Sequence, residues 1–549
     1  MTGRNKMAIG IIFLTLLALT LGRAEKVKPA PATGMSWDDL VRLYGEWREF
    51  QKPRFADGVP DYSAAAMKLQ AQGLKDFQKR LAAMDYRTWP VPRQIDHHLL
   101  RAEMNGLDFD LRVLRPWARD PCFYAVVTDS EPDVPAREGP EIPSVLEIWK
   151  YQFPLSEKAL PEFRAKLRAI PRVLDQAKKN LTEDAGDLWF LGIGVKKTES
   201  VILANLAKRL TDIPSSLIAE IERAKVAVDE FRGWLETKQA TMKRPSGIGV
   251  ENFDWYMKNV HLVPYTWAEQ KATIEREWER SMAALALERH RNRKLPELML
   301  PATVDELRTR TNEAIDVFMK FMRDEEIFTV PDYLRLDPFR GRNLQPAAAR
   351  DFFTQIEYRD SLPMKCHSIH WLEKQRMAQD PHPSPIRSAP LLYNIWDSRS
   401  EGLATAWEEL MMQAGLFDKR PRARELIYIL VAMRCARAMG DLMMHSNEFT
   451  LDEAVKYAVD RTPNGWLRPD GDTVWTDMRI YLHQPGYGTS YVVGKVHIDR
   501  LMADRARQWG DKFTVKRFMD EFFASGVIPV SLIRWEMTGL DDEIKRLMR

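Results

Sequence analysis

Thr303-Val304-Asp305-Glu306-Leu307-Arg308-Thr309-Arg310-Thr311-Asn312-Glu313-Ala314-Ile315-Asp316-Val317-Phe318-Met319-Lys320-Phe321 decides the fold class of this chain. A Thr followed three residues later by Glu is a capping box, in which side-chain oxygens satisfy the free amides of a helix start. Leu307, Ala314, Val317, Phe318 and Phe321 then supply the apolar positions of that helix. The same grammar recurs along the chain. Ser36-Trp37-Asp38-Asp39 leads into Leu40, Leu43, Tyr44 and Trp47 on one helical face. Thr266-Trp267-Ala268-Glu269 opens a long charged helix through about Arg293, and Thr450-Leu451-Asp452-Glu453 opens a short one. Period-2 runs are few; Tyr124–Val127 and Ile327–Val330 are the strand candidates. Proline clusters at 132–143, 331–346 and 381–390 mark long loops, and no fixed-period repeat points to a solenoid. The expectation is an all-α chain, a large multi-helix bundle with a central cleft and few or no strands.

The chain has 549 residues, of which 45% are apolar and 29% charged, the balance of a globular protein. Its 17 Trp and 25 Met suit helix–helix cores packed with bulky, adaptable side chains. Residues 1–24 read as a targeting segment. Arg4 and Lys6 precede an apolar run, Met7–Gly22, that is short for a membrane span, and Gly22-Arg23-Ala24 offers a cleavage site. Export to the periplasm or exterior is therefore expected, with cleavage favoured over retention as an uncleaved anchor. Residues 25–35 form a Pro/Ala-rich linker, and 36–549 a single large helical domain with soft lobes at 36–300 and 301–549. The formal charge of +3 resides in Arg4, Lys6 and Arg23, so the mature chain is near neutral. No basic field argues for nucleic acid or an acidic membrane surface. Cys122, Cys366 and Cys435 make no disulfide framework.

Three blocks carry the chemistry. The first is Glu357-Tyr358-Arg359-Asp360-Ser361-Leu362-Pro363-Met364-Lys365-Cys366-His367, running on to Glu373. The second is Glu401-Gly402-Leu403-Ala404-Thr405-Ala406-Trp407-Glu408, and the third Pro485-Gly486-Tyr487-Gly488-Thr489-Ser490-Tyr491. Weaker pieces stand in order around them: Ile95–Leu100, Asp120–Tyr124, Gly247–Tyr256, Asp441–His445 and Ser525–Val530. Together these resemble the exported bacterial domain-of-unknown-function 885 family, which looks like a zincin-like metallopeptidase lineage. That family writes its first block His-Glu-x-x-Pro-Gly-His-His. Here Arg359 and Asp360 stand where its first His and Glu should be, and Lys365 and Cys366 where its closing pair of His should be.

The resemblance implies Glu401 as a third-ligand carboxylate, Glu408 as a second acidic position, Tyr491 as an oxyanion donor, His445 as a substrate-orienting group, and Tyr481 and Tyr487 beside them. Arg has no usable lone pair and Lys is normally protonated, so neither Arg359 nor Lys365 replaces an imidazole on zinc. The expected outcome is charge substitution, with Lys365 or Arg359 pairing with Glu401 where the metal would sit. The leading reading is a metal-free pseudo-peptidase, without cofactor, that binds a peptide or small polar, carboxylate-bearing ligand. An active hydrolase or lyase using Asp360, Glu401, His445 and Tyr491 is the alternative, with Lys365 as a nucleophile. So is a relocated zinc site at His367, His370 and Glu401, the two His being three apart on an expected helix. His97 and His98 face different ways on a helix, and His261, His290, His382, His483 and His497 have no ligand-like company in sequence.

Overall fold

The computed structural model describes residues 35–56, 58–135, 145–209, 215–341 and 343–549. The expected targeting segment 1–24 and the linker up to residue 34 lie outside the described residues. The capping signals are realised. Ser36 and Asp39 cap Trp37–Phe50, Thr266 and Glu269 cap Trp267–Asn292, and Thr450 and Glu453 cap Leu451–Arg461. At Thr303 the box is rearranged. The Thr303 hydroxyl accepts from the Glu306 amide at 3.1 Å, but the Glu306 carboxylate turns to the Ala302 amide at 2.7 Å. The helix Val304–Asp324 follows all the same, because a free amide needs an acceptor and not a particular partner.

The described residues are mostly α-helical, with two pairs of two-residue strands. Phe55–Ala56 pairs antiparallel with Val59–Pro60, and Val127–Thr128 parallel with Leu146–Glu147. The strand expected at 124–127 contributes only Val127, since Pro121–Tyr124 turns as a 3-10 helix capped by Asp120. The strand expected at 327–330 does not form. Phe328 is buried against Trp407 and Phe523, and the Thr329 amide donates to the Asp520 carboxylate at 2.7 Å. A side chain thus occupies the donor that a partner strand would need.

The buried apolar side chains form one contiguous cluster from Leu40 to Leu547. At its centre lie three helices: Asp397–Gln413, Pro421–His445 and Tyr487–Trp509. Every residue from Glu425 to His445 is buried, the signature of a helix surrounded by protein on all sides. The helices Asp397–Gln413 and Tyr487–Trp509 cross at two glycines. A Cβ on Gly402 would lie 2.6 Å from the Gly494 Cα. This close approach brings Glu401 opposite the start of the Tyr487 helix.

Candidate functional site

One polar stripe runs down the buried helix Pro421–His445. Arg434, Arg437, Asp441 and His445 are spaced i, i+3, i+7 and i+11, so they share a face. Each is matched from a neighbouring element. Arg434 grips Glu408 with two bonds of 2.6 and 2.7 Å, and Arg437 pairs with Asp477. Asp441 accepts from the Thr489 amide at 3.1 Å, and the His445 ring lies 2.9 Å from the Tyr481 carbonyl. Burial raises the Asp441 acid well above its usual range, against the pull of backbone amides, and lowers His445 to about 4. His445 is therefore neutral and positions the backbone at Tyr481.

The first block folds as two short helices, Leu362–His367 and Ile369–Gln379, where one was expected. Ser368 between them (φ −65°, ψ 4°) breaks the register. The His367 and His370 rings meet edge to face with centroids 4.9 Å apart. His370 Nε2 lies 3.2 Å from Glu401 Oε2, and His370 Nδ1 lies 3.1 Å from the Ser400 hydroxyl. His367 Nδ1 faces Glu408 at 3.3 Å and Arg434 at 3.2 Å. The Tyr487 hydroxyl donates to the other Glu401 oxygen at 2.5 Å. One donor atom each from His367, His370 and Glu401 thus lies within 4.8 Å of the others. His370 Nε2 and Glu401 Oε2 are buried and make no aligned hydrogen bond. Burial opposes charge on His370, but the Glu401 carboxylate outweighs it and lifts the imidazole to about 9. Burial likewise opposes charge on Glu401, yet His370, His367 and the Tyr487 hydroxyl draw it to about 2.

The expected site residues divide into two groups. Glu401, Glu408, Tyr481, Tyr487, Tyr491, His445, His367 and His370 are gathered by the three central helices, the helix Asp472–His483 and the first block. Tyr481 stacks on Tyr487 with centroids 6.2 Å apart, and the Arg437 guanidinium lies 5.1 Å from the Tyr491 ring. The other group points elsewhere. Arg359 lies over Trp466 at 4.1 Å and bonds Gln355. Asp360 pairs with Arg420 at 3.1 Å and caps the Leu362 amide. Lys365 pairs with Glu357 at 3.0 Å. The expected charge substitution is corrected accordingly: the cation against Glu401 is His370, because the register places Lys365 on the side of Glu357.

Sequence reasoning passed over Arg434, Arg437, Asp477 and Ser400. The signal for the arginines was present, as charges at helical spacing inside an otherwise apolar run. Three histidines also have company from distant sequence. His261 lies 3.0 Å from Asp397, His497 2.7 Å from Glu543, and His483 2.7 Å from Asp120, with Cys122 completing a second cluster of donor atoms.

Comparison with known proteins bears on this same region. Residues 370–537 match a family model described as "Bacterial protein of unknown function (DUF885)". The match starts at His370 and takes in Glu401, Glu408, His445, Tyr481, Tyr487 and Tyr491. No curated protein matches the sequence. Among solved structures, the fold is similar to one described as "a putative lipoprotein of unknown function from Shewanella oneidensis". The TM-score is 0.68 at 16% identity, over 92% of this chain and 100% of that one. A second, described as "the putative lipoprotein from Colwellia psychrerythraea", gives 0.60 at 13% identity over 91% of this chain and 98% of that one. No helix among the described residues is long and apolar enough to cross a membrane.

Proposed function

We propose that this chain is an exported, metal-dependent hydrolase whose ion is held by His367, His370 and Glu401. One observation carries the reading: three buried or half-buried donors converge within 4.8 Å, each steadied from behind. Ser400 holds His370 Nδ1, Glu408 faces His367 Nδ1, and Tyr487 holds the second Glu401 oxygen. Such outer partners orient metal ligands and set their tautomers. Two imidazoles and one carboxylate are a zinc-type donor set that leaves a coordination position open. A bound ion of this kind supplies Lewis acidity and an activated water. In this reading Tyr491, whose ring lies 6.0 Å from that of Tyr487 with Arg437 beside it, supplies the phenol that donates to an acyl oxygen, and a peptide or small carboxylate-bearing compound is the substrate class. Export is supported by the leader-like segment 1–24 and by the description of the similar structures as lipoproteins.

The 3.2 Å contact of His370 with Glu401 favours a second reading, in which that ion pair replaces the metal and the protein binds its ligand without hydrolysis. Metal analysis separates the two. The purified protein is stripped with chelator, incubated with zinc and freed of loose ions. About one retained equivalent is expected, with thermal stabilisation, and His370→Ala should lose it while keeping the helical circular-dichroism spectrum. A folded wild-type protein that retains no zinc would leave only the metal-free reading.

A further inference from the structure

The helix Val91–Phe109 does not end cleanly. It widens into a π turn, Asp110–Leu114, closed by Arg115 in the left-handed region at φ 43°. Single π turns inside helices are frequent at functional sites. This one sets Asp110 on the wall of a cavity of about 760 Å³, a size suited to a small organic ligand. The cavity is lined by residues between Arg48 and Leu188 together with residues of the 256–261, 390–394 and 482–484 segments.

Asp110 differs from the other charged groups on that wall. Arg48 pairs with Glu103, Lys52 with Glu49, Lys150 with Glu147 and Asp120 with His483. Arg119 donates to two backbone carbonyls. The Asp110 carboxyl has no hydrogen bond or ion pair from any described residue. Burial raises it to about 7. Asp110 is half-buried and opens onto the cavity, where a carboxylate without a cation among the described residues is a ready partner for a cationic group.

The surroundings state what that group is. Burial raises the Tyr256 and Tyr393 phenols well above their usual range, and the nearby Asp110 charge adds to that rise. The Tyr393 ring rests on the backbone of Gly106, one turn before Asp110, where any Cβ would overlap it. Seven non-glycine residues adopt positive φ among the described residues. Four of them, Arg115, Leu262, Tyr393 and Asn394, belong to this wall or adjoin it. Strain of this kind persists only where surrounding structure over-determines it, and it clusters at ligand sites. Aromatic faces beside a lone carboxylate attract a cation, and Leu107, Leu114 and Phe123 give the same cavity apolar wall.

We propose that this cavity binds a small ligand carrying a protonated amine on an apolar or aromatic body, with the Asp110 carboxylate as its counter-ion and Tyr393 against the body. The proposal is separate from the metal reading, since no residue it uses belongs to the His367–His370–Glu401 cluster. Calorimetric titration of the full-length protein with phenethylamine, tyramine and benzyltrimethylammonium tests it, with phenylacetate as the charge-reversed match. At least one amine should bind saturably, about tenfold or more tighter than phenylacetate. Asp110→Asn should weaken that amine by about tenfold or more without lowering the melting temperature, and Tyr393→Leu should weaken it independently. Three results would each overturn the proposal: no saturable binding of any of the three amines, phenylacetate binding as tightly, or amine affinity unchanged in Asp110→Asn.

Discussion

The helices Leu160–Asn180 and Pro421–His445 are similar in length and opposite in design. The first buries Phe163, Leu167, Ile170, Val173, Leu174 and Ala177 on one side and exposes Glu162, Arg168, Arg172, Asp175 and Lys179 on the other. The second is buried all round and carries Arg434, Arg437, Asp441 and His445 inside the protein. On the outer helix most charges mark the surface, although Arg164 and Arg168 reach the buried Glu220. On the inner helix a charge marks a partner, because a buried ion without one is strongly destabilising. The candidate site lies where those partners meet.

The comparison breaks most visibly at Glu408. Glu408→Leu leaves Arg434 buried without its carboxylate and should cost about 3–5 kcal/mol in denaturant unfolding. The double variant Glu408→Leu/Arg434→Met should recover most of that loss. A single variant as stable as wild type would mean that the stripe is not held by charge pairing.

A smaller effect distinguishes buried groups that are paired from those kept neutral. Burial, with help from Arg101 and His97, lowers His98 to about 3. The unfolded chain takes up that proton near pH 6.5, whereas the native state does not until about pH 3. The neutral ring thus contributes stability that is whole above pH 6.5 and is lost as pH falls toward 3, at roughly 1.4 kcal/mol per pH unit. His98→Phe should flatten this part of the stability–pH curve relative to wild type. Parallel curves would place the acid sensitivity elsewhere.

The smallest effect belongs to an exposed helix end. Thr266→Ala removes the acceptor for the Glu269 amide at the start of Trp267–Asn292 and should cost about 1 kcal/mol. Calorimetric melting would show it as a modest shift, and a loss as large as that of Glu408→Leu would erase the distinction between outer and inner helices.

The outer architecture was legible because its causes are local. A cap and its amide are three residues apart, and an apolar face repeats every turn, so Ser36, Thr266 and Thr450 announce their helices from sequence. The misread strands show the limit. Phe328 suits a pleated surface, but contacts with Trp407 and Phe523 from distant sequence decided its conformation. Within the site, Glu401, His367 and His370 could be listed from sequence, yet the pairing of Glu401 was expected with Lys365 or Arg359 and is made by His370. The cause is the break at Ser368, a matter of a few dihedral angles that no residue pattern announced.

The sequence by itself determined the all-α class and the capped helix starts, and it supplied the charges without saying which of them would be buried and need partners. Only the tertiary structure decided which partners those are. Arg434 meets Glu408 across 26 residues, His483 meets Asp120 across 363, and Asp110 meets none among the described residues. The physical reason is range. Caps and periodicity act within a turn or two of helix, whereas an ion pair is set by where whole helices cross, as at Gly402 and Gly494.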